Sequence, residues 1–243
     1  MTDAEILATA AVLVGGACHA ATGFGFALVA APLMAAALAP EEAITMLLLL
    51  GILVSVLTLL TEGRRPQPLW DDSGQILAWG SAGALAGAFV LAQLSTVALQ
   101  LVVTLSVLAA LITSRTLRKG SDPFRRVWVA GLAAGALTTT TSANGPPLLL
   151  HLLARRIPAA AMRDTLAVLF VGFGAIGVAA IALGTSELAL AAGAAAAVLP
   201  SAAALGHVAG RPVFARLAAG HYEQVVTGMM LVSVVAGAAL ALA

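Results

Sequence analysis

None of the twelve Lys and Arg residues of this 243-residue chain lies in the middle of a long apolar segment. Charged residues make up only 9% of the chain, whereas 61% of it is hydrophobic. A soluble domain carries about 25% charged residues, so too few polar side chains remain to cover a surface that faces water. The sequence therefore predicts an all-α polytopic membrane protein.

Eight apolar segments follow one another along the chain. Six of them have roughly the 20 residues that cross a bilayer core about 30 Å thick; they are residues 43–61, 74–93, 96–114, 160–183, 187–206 and 221–243. The other two, residues 5–39 and 127–154, are interrupted at residues 22–25 and 141–147. Gly and Pro at these positions unwind a helix, because Gly loses entropy and Pro removes a donor.

The placement of positive charge distinguishes two interpretations of the broken segments. If both cross the membrane as kinked helices, the positive residues are split between the two sides. One side then holds Arg64, Arg65, Arg115, Arg118, Lys119, Arg125 and Arg126, and the other holds Arg155, Arg156, Arg163, Arg211 and Arg216. If each broken segment is a re-entrant hairpin of two half-helices, all twelve share one side. Because cytoplasmic loops are enriched in Lys and Arg, we predict hairpins, cytoplasmic basic loops, and both termini outside the cytoplasm, in the cytoplasmic (inner) membrane.

The hairpin interpretation divides the chain into two halves of the same design. Residues 1–120 and residues 121–243 each contain one broken hairpin of half-helices with 10–16 residues, followed by three transmembrane helices. Three crossings is an odd number, so the halves have opposite orientation, as in the inverted repeats of many secondary transporters. A weak similarity supports this prediction, since Gly23 and Gly25 align with Ala143 and Gly145.

The two breaks are the predicted binding site. Non-helical backbone at membrane depth is tolerated where it is buried in protein or lines a cavity, so we expect the breaks to meet near the midplane. A second half-helix begins at each break, and the unpaired N–H groups of a helix start favour an anion. The candidate substrate-binding residues here are Thr22, Gly23, Phe24, Gly25, Thr140, Thr141, Ser142, Asn144, Gly145 and Pro146. The alternative interpretation is that both breaks are packing kinks.

Individual residues of the second break suit the start of a helix. Ser142 or Asn144 can cap it, and Pro146 suits its first turn. The middle of each predicted span lacks acidic and basic residues, so a cation substrate would find no counter-charge, whereas an oxyanion can be held by N–H groups and hydroxyls. Phe24 or Phe26 is available to cover an organic part of the substrate.

Two ionisable residues complete the candidate substrate-binding set. His19 precedes the first break and is interpreted either as a ligand contact or proton carrier, or as a buried neutral imidazole. Arg163 is the most inward positive residue, and it either attracts an anion at a cytoplasmic vestibule or snorkels to the interface. Because Cys18 is the only cysteine, an intrachain disulfide and a Cys-based metal cluster are excluded. We predict no catalytic residues, metal, cofactor or nucleic-acid partner.

The glycine-rich break near Gly23 is followed by a short helix with Pro32, the related break lies at residues 144–147, and Arg163 with Thr165 follows. These features resemble the TauE/SafE sulfite exporter family, also called the toluene sulfonate uptake permease family. The resemblance implies a transporter of sulfur-containing anions such as sulfite, sulfoacetate and other sulfonates. A proton or Na⁺ is the candidate coupling ion, and the oligomeric state is not indicated.

Two other functions remain as alternatives at this point. One is an anion channel of the same fold, which would conduct without a closing step. The other is an intramembrane enzyme that uses Ser142, His151 and Asn144 as a nucleophilic group, although Pro146 and Pro147 argue for a static break there.

Overall fold

The computed structural model describes residues 2–91, 126–185 and 195–217, together with residue 228. These residues form helices and contain no strand, so the prediction of an all-α fold is confirmed for them. The helices are α1 (Asp3–Thr22), α2 (Phe26–Ala37), α3 (Pro40–Thr61), α4 (Trp70–Leu91), α5 (Val127–Thr141), α6 (Gly145–Arg155), α7 (Ala159–Thr185) and α8 (Ala195–Leu217). The helices predicted at 96–114 and, apart from residue 228, at 221–243 lie outside the described residues, as do residues 187–194.

Three of the described helices are long and apolar enough to cross a membrane. They comprise residues Asp3–Thr22, Glu42–Thr61 and Ala159–Leu183, and the shorter apolar helices are Phe26–Ala37 and Val127–Thr141. The predicted half-helix length of 10–16 residues fits α2, α5 and α6, which have 12, 15 and 11 residues.

The first arm of the first hairpin is longer than predicted. Helix α1 has 20 residues, which corresponds to about 30 Å. A capping box begins it, in which Thr2 accepts a hydrogen bond from the backbone N–H of Glu5 and the Glu5 side chain binds the N–H of Thr2. Nothing interrupts the helix from there to Thr22, so the first hairpin has one span-length arm and one short arm.

Glycine allows two pairs of helices to cross with their backbones in contact. Between α4 and α5, a Cβ added to Gly135 would overlap the carbonyl oxygen of Gly80. Between α1 and α8, a Cβ added to Gly206 would overlap the carbonyl oxygen of Leu13. Helices α3 and α7 pack against each other. Small residues at the closest approaches are typical of helix packing in membranes.

The first break joins two apolar clusters of the core. Phe26, which begins α2, packs with residues of α1, α3 and α8. Phe24 and Leu28, on either side of it in the chain, pack instead with residues of α4, α5, α6 and α7. The break therefore lies where the two clusters meet.

The described basic residues gather where α3, α6 and α8 end and where α4 and α7 begin. Arg64, in the connection after α3, donates two hydrogen bonds of 2.7 and 2.9 Å to Asp164 near the start of α7. The hydrogen bond with Asp164 raises the pKa of Arg64 above its ordinary value. Arg211 of α8 donates to the carbonyl of Thr61, the last residue of α3. One end of the bundle is thus held by charged contacts.

Candidate functional site

The first break is a glycine turn between α1 and α2. Gly23 ends α1 with a φ of 81°, and its N–H donates to the carbonyl of His19 at 2.7 Å. Gly25 precedes α2 with a φ of 97°, and only glycine adopts such angles at low cost. The hydroxyl of Thr22 donates to the carbonyl of Phe24 at 2.6 Å. The same hydroxyl lies 2.8 Å from the carbonyl of Cys18, so the Thr22 side chain links the end of α1 to the turn.

The second break is closed by side chains. Ser142 ends α5 with a φ of 56°, and its N–H donates to the carbonyl of Thr138 at 3.1 Å. Asn144 occupies the position before α6 but makes no capping bond there; its Nδ2 instead donates to Oγ1 of Thr138 at 2.8 Å. The expected cap by Ser142 or Asn144 is absent because the Asn144 amide points back to α5, whereas Pro146 does lie in the first turn.

The threonine hydroxyls before the second break face the backbone. Thr140 and Thr141 donate to the carbonyls four residues earlier, at 2.8 and 3.0 Å. Thr139 donates to the carbonyl of Ala84 on α4 at 2.8 Å. Since a hydroxyl has one proton, these residues stabilise α5 and its contact with α4, and they have no proton left to donate to an anion.

The two breaks touch each other through Phe24. This side chain is fully buried, and a Cβ added to Gly145 would lie 3.3 Å from Cδ2 of Phe24 and 3.7 Å from Cζ of Phe170. Glycine at position 145 therefore allows the aromatic ring of the first break to approach the backbone of the second.

A cavity of about 40 Å³ lies between the breaks. A water molecule needs roughly 10–15 Å³ of such volume, so the cavity holds about three groups of that size. Its lining consists of His19, Gly25, Phe26, Ala27, Leu28, Leu47, Leu48, Gly51, Ser55, Ser142, Ala143, Asn144, Gly145, Phe170 and Gly174.

Five of the twelve predicted site residues line this cavity, and seven do not. The five are His19, Gly25, Ser142, Asn144 and Gly145. The seven outside the lining are Thr22, Gly23, Phe24, Thr140, Thr141, Pro146 and Arg163. They lie next to the lining in the chain, except for Arg163, and they shape the breaks.

Helices α3 and α7 supply lining residues that sequence reasoning missed. Ser55 is buried, and its Oγ lies 3.4 Å from Nε2 of His19. The ring of Phe170 lies 5.7 Å from the imidazole ring, centroid to centroid. Gly51 and Ser55, and likewise Phe170 and Gly174, are four residues apart on one helix face. A small or polar residue at this spacing within an apolar helix is the sequence pattern that could have predicted these lining positions.

Arg163 is buried beneath the first break and is not exposed at a vestibule. Its side chain is 4% exposed, and Nη2 donates to the carbonyl of Ala20 at 2.6 Å. It also forms an ion pair with Glu62 at the end of α3. Because a Cβ on Gly23 would lie 3.1 Å from Cβ of Arg163, the glycine makes room for this side chain.

His151 belongs to a separate polar cluster. Its Nε2 lies 3.3 Å from a carboxylate oxygen of Asp72 on α4, and Arg155 donates two hydrogen bonds of 2.7 and 2.6 Å to the same carboxylate. His151 does not line the cavity, whereas Ser142 and Asn144 do. Within the described ranges, no three His, Cys, Asp or Glu side chains are grouped to hold a metal ion.

Comparison with known families confirms the resemblance. The family model described as Sulfite exporter TauE/SafE matches residues 7–237, nearly the whole chain. Comparisons with curated proteins and with solved structures gave no match. The family is one of membrane transporters, so together with its apolar helices the chain is an integral membrane protein and a transporter, not an enzyme. With the match extending over both breaks and nearly the whole chain, the chain belongs to the TauE/SafE sulfite exporter family.

Proposed function

We propose that this protein is a secondary transporter that moves sulfite, sulfoacetate or other organosulfonates across the cytoplasmic membrane. The substrate occupies the cavity between the two breaks. The observation that carries this proposal is that both helix starts contribute to one lining, through residues 25–28 and residues 142–145. Because a helix start combines unpaired N–H groups with a positive dipole end, two of them around one cavity suit an anion.

The two helix starts differ in the donors that they offer. In α6, Pro146 and Pro147 have no N–H, which leaves the amides of Asn144 and Gly145 at this end. The first turn of α2 contains no proline, so the amides of Phe26 and Ala27 have no partner within the helix. A sulfite or sulfonate group has three acceptor oxygens, and amides from both sides can bind it while an aromatic ring covers any organic part.

The pattern of helix contacts supports two inverted repeats, residues 1–120 and 121–243. Helix α1, the first arm of the first hairpin, packs on α8, and helix α5, the first arm of the second hairpin, packs on α4. Helices α3 and α7, which follow the hairpins, pack on each other. A two-fold relation between the halves produces this exchange of partners. Rocking of the two repeats around the cavity would give alternating access.

The described basic residues support cytoplasmic basic loops with both termini outside. Arg64, Arg155, Arg163 and Arg211 lie at the end of the bundle where α3 ends and α4 and α7 begin. Arg115, Arg118, Lys119 and Arg125 lie outside the described residues. A C-terminal reporter that is active only outside the cytosol should be active; a silent reporter contradicts this orientation.

The exchange of helix partners between the two halves favours a transporter over an anion channel, because inverted repeats rock around a central site in many secondary transporters. His19 is 2% exposed, and Ser142 and Asn144 are each 6% exposed, so these lining side chains are buried within the bundle. In proteoliposomes we expect saturable sulfite uptake that is accelerated by sulfite on the opposite side. Flux that rises linearly with concentration, accompanied by ohmic conductance, would instead identify a channel.

Asn144→Asp tests the site itself. The substitution preserves shape but puts a carboxylate into the cavity, and repulsion should weaken anion binding by about 100-fold or more. Gln75→Glu on the exposed face of α4 makes the same chemical change away from the cavity and should leave binding unaltered. Binding is read from thermal shifts with sulfite, sulfate, thiosulfate, sulfonates and carboxylates. Equal anion responses of wild type and Asn144→Asp would place the site elsewhere.

A further inference from the structure

His19 is the one titratable side chain among the described residues that line the cavity. It lies one turn before the first break, at a position where its ring faces the space between α2, α3 and α7. The described lining is otherwise uncharged. An anion that enters this space therefore finds amide dipoles and one imidazole, and it finds no fixed positive charge.

The described groups around the His19 ring include no carboxylate. Ser55 on α3 and Phe170 on α7 face the ring and carry no charge. The groups that act on it electrostatically are Arg163 of α7 and His207 of α8. Helix α2 has no titratable residue, and Cys18 is the neighbour within α1. The empty site therefore offers the imidazole no opposite charge.

We propose that His19 takes up one proton when an oxyanion enters the cavity, so that anion and proton bind together. This inference rests on the proposed function above, and it identifies the proton as the coupling ion. The anion supplies the opposite charge that the empty site lacks. The proton comes from the same aqueous phase as the anion and binds the ring nitrogen that carries no hydrogen, so only an N–H bond forms. Because coupling is reciprocal, lower pH must strengthen anion binding.

Counting protons during binding tests the inference. The full chain in detergent is titrated with sulfate and with methanesulfonate, which stay ionised between about pH 5 and 8, so that any proton taken up belongs to the protein. Calorimetry in two buffers of different ionisation enthalpy should give about one proton per anion. The dissociation constant should fall about tenfold for each unit of pH decrease while the empty site is neutral. If sulfite alone binds, the count is corrected for the titration of sulfite itself.

Two histidine variants locate the proton. His19→Gln keeps a hydrogen-bonding side chain without a titratable ring, so the anion should still bind, with no proton uptake and little dependence on pH. His207→Gln is the matched control, because His207 is also buried and also lies 3.4 Å from a hydroxyl, that of Thr61, but it does not line the cavity. This variant should retain the uptake.

The outcomes separate the two proposals. Anion binding by the wild type without proton uptake overturns the role of His19 and leaves the proposed function standing, and this result needs no variant to fold. Full proton uptake in His19→Gln likewise overturns the inference. If none of the sulfur-containing anions binds at any pH, the proposed function itself fails.

Discussion

Nη2 of Arg163 donates a hydrogen bond of 2.6 Å to the backbone carbonyl of Ala20. This contact joins the start of α7 to α1 three residues before Gly23, at the edge of the first break. The same guanidinium pairs with Glu62, whose carboxylate also lies 2.7 Å from Nη2 of Arg64. A positive residue that the sequence places near a membrane face thus positions the backbone of the break.

Replacing Arg163 should destabilise the protein, because the Ala20 carbonyl and the Glu62 carboxylate each lose an interaction with the guanidinium. Arg163→Gln removes a buried ion pair and a donor to the Ala20 carbonyl, and we expect a loss of about 3 kcal/mol in the free energy of unfolding. Thermal unfolding in detergent measures it. In a Glu62→Gln background the same substitution should cost less, because the ion pair between Arg163 and Glu62 is then already absent. Equal costs in both backgrounds would show that the ion pair contributes nothing.

Ser142 has a strained backbone conformation and also lines the cavity. Its φ of 56° is costly for any residue with a Cβ, so Ser142→Gly should be more stable than Ser142→Ala by about 1 kcal/mol. Both variants lose the hydroxyl from the cavity lining, and both should bind the anion about fivefold more weakly. Stability is compared by chemical unfolding and affinity by calorimetry. Equal stability of the two variants contradicts the strain argument.

Gly51 should set the size of substrate that the cavity accepts. The nearest atom to an added Cβ is Cδ1 of Phe26 at 4.0 Å, so Gly51→Ala fits without displacing its neighbours and narrows the cavity by one methyl group. We expect unchanged or slightly higher stability, and uptake of an organosulfonate should fall about tenfold more than uptake of sulfite.

Gly74→Ala on the exposed face of α4 is the control for Gly51→Ala. An added Cβ there has no described neighbour within 4 Å, so both uptake rates should stay as in the wild type. Parallel loss of sulfite and organosulfonate uptake in Gly51→Ala would contradict a role in size selection.

The crossing of α4 and α5 should not tolerate a side chain at Gly135. Its Cβ would overlap the backbone carbonyl of Gly80, and backbone cannot move aside as a flexible side chain can. Gly135→Ala should therefore cost about 1–3 kcal/mol, although alanine is the better helix former. Melting temperature and the yield of monodisperse protein report the effect, and Gly74→Ala again serves as the control. A melting temperature at or above that of the wild type contradicts the close crossing.

Much of the helix pattern could be predicted from the sequence because its causes are local. Glycine and proline place the breaks at residues 22–25 and 141–147, and the structure breaks the helices at residues 23–25 and 142–144. The length of α1 was underestimated, since the capping box at Thr2 starts the helix before the apolar run. The sequence prediction treated the threonine hydroxyls as ligands for the anion. In the structure Thr140 and Thr141 donate to the preceding turn of their own helix, as helical Thr commonly does.

The sequence by itself determined that this chain lives in a membrane, that its described part is helical, and where two helices must unwind. These properties follow from composition, from the length of the apolar segments and from local backbone preferences, and all three can be read directly from the sequence. Only the tertiary structure decided that His19 faces Ser55 and Phe170, that Phe24 contacts Gly145, and that Arg163 forms a buried ion pair. These depend on which helices cross at glycine and how far each side chain reaches, and such contacts join residues 36 to 151 positions apart.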